Sequence, residues 1–107
     1  MYTFYQTEAF AAWLRNIENA RARAGVLARI RSAELGDLGD CDPVGEGVSE
    51  IRLHIDPGYR LYLWQHGPRV FWLLAGGDVR SRQHDIDRAK ALRREIEELH
   101  HDSTQHI

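Results

Sequence analysis

The stretch "IRLHIDPGYRLYLW", residues 51–64, constrains this fold more than any other part of the chain. Two runs alternate with period two around a Pro-Gly turn, the pattern of a half-buried antiparallel hairpin. From Ser49 to Asp56, Ile51, Leu53 and Ile55 fall on one face, with Glu50, Arg52 and His54 on the other. From Tyr59 to Gln65, Leu61 and Leu63 oppose Arg60, Tyr62 and Trp64. One side of the hairpin is therefore aliphatic, and the other carries cations, an imidazole and aromatic rings.

The remaining elements follow from capping and periodicity. "YTFYQ" has the aromatic and β-branched content of a short strand. Thr7 fits an N-cap, with Glu8 in the first turn, and Phe10, Trp13, Leu14 and Ile17 recur at helical spacing, predicting a helix over 8–17. Asn19 caps a second helix to about Leu35, and Gly25 inside it costs about 1 kcal/mol relative to alanine. "GDLGDCDPVGEGV" reads as an acidic, turn-rich loop. "VFWLLA" is apolar on both faces, as a central strand requires. A last helix runs from about Ser81 or Asp85 to near His100 on a seam of Ile86, Ala89, Leu92, Ile96 and Leu99 that serves the core.

The expected fold is α+β: an N-terminal strand, a helical hairpin, a three-stranded antiparallel meander and a C-terminal helix. Residues 1–100 form one domain and 101–107 a frayed tail. The helical hairpin covers the aliphatic side of the sheet, so Arg52, His54, Arg60, Tyr62 and Trp64 are expected on an open face.

Composition excludes several classes. The 107 residues are 43% hydrophobic and 28% charged, unlike a disordered chain. The longest apolar run, Val70–Ala75, falls far short of the roughly 20 residues of a membrane helix. The first ten residues lack the pattern of a secretory signal, so a cytoplasmic protein is expected. Cys41 has no second thiol to pair with, and the tail group His100, His101 and Asp102 lacks the rigid support a metal site needs. No metal or cofactor is expected. A net charge of −2 argues against unaided, non-specific nucleic-acid binding. The charge is uneven, however. Residues 37–50 carry five carboxylates and no cation, whereas 51–82 carry five arginines against Asp56 and Asp78.

Guanidinium groups bind phosphate oxygens bidentately and keep their charge, and aromatic rings stack on unpaired bases. The face thus suits single-stranded RNA, with Arg60 and Arg52 stabilising a phosphorane, His54 or Glu50 moving protons, and Tyr62 and Trp64 stacking bases. A solvated sheet face with cross-strand ion pairs would carry the same residues.

The landmarks "FAAWL" (10–14), "ARAR" (20–23), "PVGEGVSEIR" (43–52), "PGYRLY" (57–62), "LLAGGD" (73–78) and "DI" (85–86) resemble, in order and spacing, the RelE/ParE superfamily of bacterial toxins. The match is to the short HigB-like group called addiction module killer proteins. The resemblance implies a toxin held by a small, helix-turn-helix antitoxin, cutting messenger RNA on the ribosome without a metal. On that pattern Arg60 matches the best-placed catalytic arginine, and Arg52 and His54 match basic positions of the preceding strand. The group commonly has lysines where this chain has Asp42 and Val79, and Arg80 or Arg82 can replace the second. The superfamily also includes ParE-like gyrase poisons that cleave nothing, and a non-toxic partner in a repressor complex is a further alternative.

Overall fold

The computed structural model describes the backbone of residues 1–105 and side chains through Leu99. The expected tail at 101–107 and the His100, His101 and Asp102 group lie outside the described side chains. The chain forms β1 (Thr3–Gln6), α1 (Glu8–Arg15), α2 (Ala20–Glu34), β2 (Cys41–Gly45), β3 (Val48–Arg52), β4 (Arg60–Gln65), β5 (Val70–Gly77), a 3₁₀ turn (Val79–Ser81) and α3 (Arg82–Gln105).

Both expected helix caps form. Thr7 Oγ1 accepts from Phe10 N at 3.0 Å, and Asn19 Oδ1 accepts from Ala22 N at 3.0 Å. Each side chain satisfies a backbone donor that helix geometry leaves unpaired. Thr7 Oγ1 also donates to Leu74 O at 2.6 Å, which ties the start of α1 to β5.

The sheet is α+β and mixed, with five strands in the order β1-β5-β4-β3-β2. It is larger than the expected meander in two ways. β1 pairs in parallel with β5, Thr3 opposite Val70, and the segment read as a loop contributes β2, antiparallel to β3. Pro43 can occupy β2 because this is an edge strand, where a missing N–H costs no ladder bond, and the register shifts between Pro43 and Gly45.

Alternation sorts the strands onto two cores. Ile51, Leu61, Leu63, Phe71 and Leu73 meet Phe10, Ala22 and Val26 of the helical hairpin. On the opposite face, Val48, Tyr62, Trp64, Leu74 and Ala75 meet Ile86 and Ala89 of α3. Tyr62 pairs with Ala75 but Leu63 pairs with Leu73, so Leu74 is an extra residue in β5 and both Leu74 and Ala75 turn towards α3. The face expected to be open is therefore covered by α3 along much of its length.

Two glycines at the end of β5 set how closely the layers approach. A Cβ on Gly76 would overlap the Trp13 ring of α1, and one on Gly77 would overlap the Asp85 carboxylate of α3. In α2, a Cβ on Gly25 would stand 2.7 Å from Ile55 Cδ1, so the helix accepts its least favourable interior residue to make room for packing.

Candidate functional site

β3 and β4 place Glu50 opposite Tyr62 and Arg52 opposite Arg60. All four side chains therefore leave the sheet on one side, as strand alternation requires. Their surroundings differ from expectation. Glu50 is 0% exposed and Tyr62 is 0% exposed.

Glu50 is the centre of the cluster. Its Oε1 accepts from Arg52 Nη1 at 3.2 Å and Arg82 Nη2 at 3.3 Å. Its Oε2 accepts from Arg82 Nε at 2.8 Å and the Tyr62 hydroxyl at 3.0 Å. Arg60 Nε lies 3.4 Å from the same oxygen without hydrogen-bond alignment. A proton-transfer role for Glu50 does not survive this geometry, because the carboxylate is sealed from solvent and donors engage both of its oxygens. It is an anchor that holds arginines from β3, β4 and α3 together. Burial, then the bond to Glu50, pushes the Tyr62 hydroxyl well above the ordinary phenol range, so it stays a neutral donor. Glu50 likewise raises Arg82 above its ordinary value.

Tyr62 and Trp64 are not stacking platforms for bases. Trp64 is 6% exposed, and its ring is stacked with His66 at 4.7 Å and lies 5.1 Å from the Arg93 guanidinium of α3. The correction has one cause: α3 packs on this face.

The arginines keep different amounts of free surface. The Arg60 side chain is 17% exposed and donates through Nη1 to Gly58 O at 3.3 Å. Arg82 is 42% exposed. Among the described residues, no acceptor engages Nη2 of Arg60 or Nη1 of Arg82. Arg80 is exposed on the 3₁₀ turn, next to the start of α3. That start is fixed by the Asp78 cap and by Ser81 Oγ, which donates to Asp85 Oδ2 at 2.5 Å.

Arg52 is more heavily engaged. Besides Glu50, it donates from Nε and Nη2 to Asp40 at 3.1 and 2.8 Å, and from Nη2 to Asp42. Asp40 and then Asp42 raise Arg52 above its ordinary value. β3 ends at Arg52, short of the expected Asp56, and His54 takes a left-handed backbone with φ 58°. That conformation is uncommon outside glycine, though histidine adopts it more readily than most residues. It brings His54 Nε2 to 2.7 Å from Asp40 Oδ2, the carboxylate oxygen that Arg52 Nε also engages. Bonds from Arg52 and then His54 hold Asp40 down at about 2.

His54, Asp40, Arg52, Glu50, Arg60 and Arg82 thus form one continuous chain of alternating polar contacts along the ends of β3 and β4 and the start of α3. Asp40 and Asp42 went unassigned in the sequence because their segment read as a loop. The signal for them was the run of carboxylates without cations that precedes the arginine-rich hairpin. No group of three or more metal-ligating side chains occurs among the described residues.

Fold and site together define a mixed-sheet α+β protein with a carboxylate-braced arginine cluster at one end of its sheet. The chain is 38% identical over 90 residues to a Haemophilus influenzae protein described as uncharacterized, spanning 84% of this chain and 91% of that one, and belongs to the same family. No protein-family model and no solved structure matches it.

Proposed function

We propose that this protein is the toxin of a toxin-antitoxin pair, a metal-independent endoribonuclease that cuts messenger RNA on the ribosome and is neutralised by a helix-turn-helix antitoxin. The observation that carries the reading is the convergence of Arg60 and Arg82 on Glu50 Oε2, with guanidinium N–H groups left for a ligand. A buried carboxylate that orients two outward guanidiniums suits a site where negative charge grows on a phosphorane. The resemblance to RelE-type toxins, with Arg60 after the Gly-Tyr pair, points the same way.

In this reading Arg60 and Arg82 stabilise the phosphorane and Arg80 extends the cationic rim. His54 moves the proton. Asp40 at its Nε2 fixes the ring orientation and leaves Nδ1 to act, the usual arrangement of a base held by a third group. Glu50 positions the arginines. The ribosome supplies most of the RNA binding, which accommodates the net charge of −2. Cytoplasmic action goes with this target, and no helix among the described residues is long and apolar enough to cross a membrane.

Expression of the chain alone is expected to arrest growth and to produce codon-aligned 5′ ends in translated messages. Arg60→Ala is expected to lower cleavage by about 10²–10³-fold, the usual effect of losing one transition-state donor. Because Arg52, Arg82 and Tyr62 still engage Glu50, the variant should fold. Undiminished cleavage by folded Arg60→Ala refutes the site.

One observation favours a second reading, a ParE-like gyrase binder: the burial of Tyr62 and Trp64 removes the base-stacking surface. That reading requires induction of the DNA-damage response with messages left uncut.

A further inference from the structure

We infer that Asp42 occupies, within the chain itself, the place on Arg52 that an RNA phosphate takes during binding, so that Asp42 sets how tightly this site holds RNA. The inference rests on the ribonuclease reading above and concerns the regulation of that same site.

Arg52 projects from β3 directly opposite Arg60, on the same face of the sheet. Its position in the ladder is that of a second phosphate-clamping cation. Its donors, however, are shared among three carboxylates. Glu50 takes Nη1, Asp40 takes Nε and Nη2, and Asp42 takes Nη2 as well. These three partners are not equivalent. Glu50 is fully buried and is held by Arg82 and Tyr62. Asp40 is held from its other side by His54.

Asp42 has neither restraint. Its side chain is 60% exposed, and among the described residues Arg52 alone hydrogen-bonds or ion-pairs with it. It lies on the edge strand β2, directly opposite Glu50. An exposed carboxylate on a partly exposed guanidinium gives little net stabilisation, because water solvates both groups well when they part. A phosphate oxygen has the same charge preference and competes on equal terms for the Nη2 donors.

Displacement has a measurable electrostatic signature. Each phosphate neutralised on a single strand contributes about 0.7 to the negative slope of log K against log salt concentration. If Asp42 occupies one such place, Asp42→Asn steepens the slope by about 0.7. Measured against a 1 M reference, that corresponds to roughly fivefold tighter binding at 0.1 M salt.

The experiment is a fluorescence-anisotropy titration of a short, labelled single-stranded RNA with the full chain, repeated over a salt series. Wild type, Asp42→Asn, Asp42→Asn with Arg52→Gln, and Asp37→Asn are compared, and thermal melts verify folding. Asp37→Asn makes the same change in net charge at a carboxylate paired with Arg29 instead. The inference predicts a steeper slope and tighter binding for Asp42→Asn, reversal on adding Arg52→Gln, and no comparable gain for Asp37→Asn. If wild type binds RNA and Asp42→Asn gains no more than Asp37→Asn, the inference is overturned and the ribonuclease reading stands. A gain that persists in the Arg52→Gln double variant also overturns it, because Arg52 is then not the group released. If neither wild type nor Asp42→Asn binds RNA at low salt, the inference is overturned, whereas the ribonuclease reading, in which the ribosome supplies most of the RNA binding, stands or falls on the codon-aligned cleavage assay.

Discussion

Replacing Glu50 with glutamine tests whether the arginine cluster is built on a buried charge. The carboxylate accepts four hydrogen bonds, from Arg52 Nη1, Arg82 Nη2, Arg82 Nε and the Tyr62 hydroxyl. Glutamine keeps the shape but offers one acceptor oxygen and turns an NH₂ group towards donors on the other side. Two of the bonds are then lost, and a hydrogen bond to a charged group contributes about 1.5–3 kcal/mol. The guanidiniums retain partial access to water and recover part of that loss, which places the cost near the lower bound. The expected destabilisation is about 3 kcal/mol, at the low end of the range for breaking a buried ion pair. For a domain of this size it lowers the melting temperature by roughly 12–24 °C. Urea unfolding followed by tryptophan fluorescence measures it directly, since Trp64 and Trp72 belong to the core beneath α3. A double-mutant cycle with Arg82→Met isolates the coupling: losing both partners should cost less than the sum of the single losses. A loss below about 1 kcal/mol with an unchanged urea dependence would show that the charge on Glu50 contributes little, and the reasoning would fail.

Two further outcomes follow from the geometry. Gly77→Ala is expected to destabilise by about 1–3 kcal/mol, as overpacking does, because the new methyl must displace the Asp85 carboxylate that Ser81 holds at the start of α3; a thermal melt unchanged from wild type would count against that close approach. Asp40 has a folded value of about 2 against an ordinary 3.8, so its contribution to stability is fully present above about pH 4 and is lost as pH falls through about 2. The gap in urea midpoint between wild type and Asp40→Asn should therefore narrow between pH 4 and 2, and a constant gap would contradict the bonds from Arg52 and His54.

What the sequence revealed of the fold was local. Thr7 and Asn19 announced their helices because a cap is a contact between a side chain and a backbone N–H three residues away, and nothing distant can cancel it. Which side chains share a face of the hairpin was equally legible, since alternation puts Glu50, Arg52, Arg60 and Tyr62 on one side, but the register was not, because β3 ends at Arg52 and a connection longer than the Pro-Gly turn sets Arg52 opposite Arg60. β2 was hidden because "CDPVG" carries proline and glycine, which argue for a loop in every setting except an edge strand. The parallel pairing of β1 with β5 joins segments more than sixty residues apart, and no local pattern encodes it.

The placement of α3 decided which site residues held. Its seam predicted that it would pack, but amphipathicity does not say which face of a sheet a helix covers. The strands carried that information as a gradient. Along the face in question, Val48, Trp64 and Trp72 are mutual neighbours at one end, whereas Arg52, Arg60 and Gly77 are neighbours at the other. An end made of valine and two tryptophans gains by being covered, and an end made of two arginines does not. With the helical hairpin already on the opposite face, a helix leaving β5 could bury the apolar end while its first residue, Arg82, stayed at the charged end. The boundary between the two regimes falls at Glu50 and Tyr62. There a carboxylate and a phenol are buried together because each satisfies the other, and the arginines beyond them keep access to solvent. The same gradient that closes the aromatic half of the comb therefore concentrates any phosphate chemistry at its cationic end.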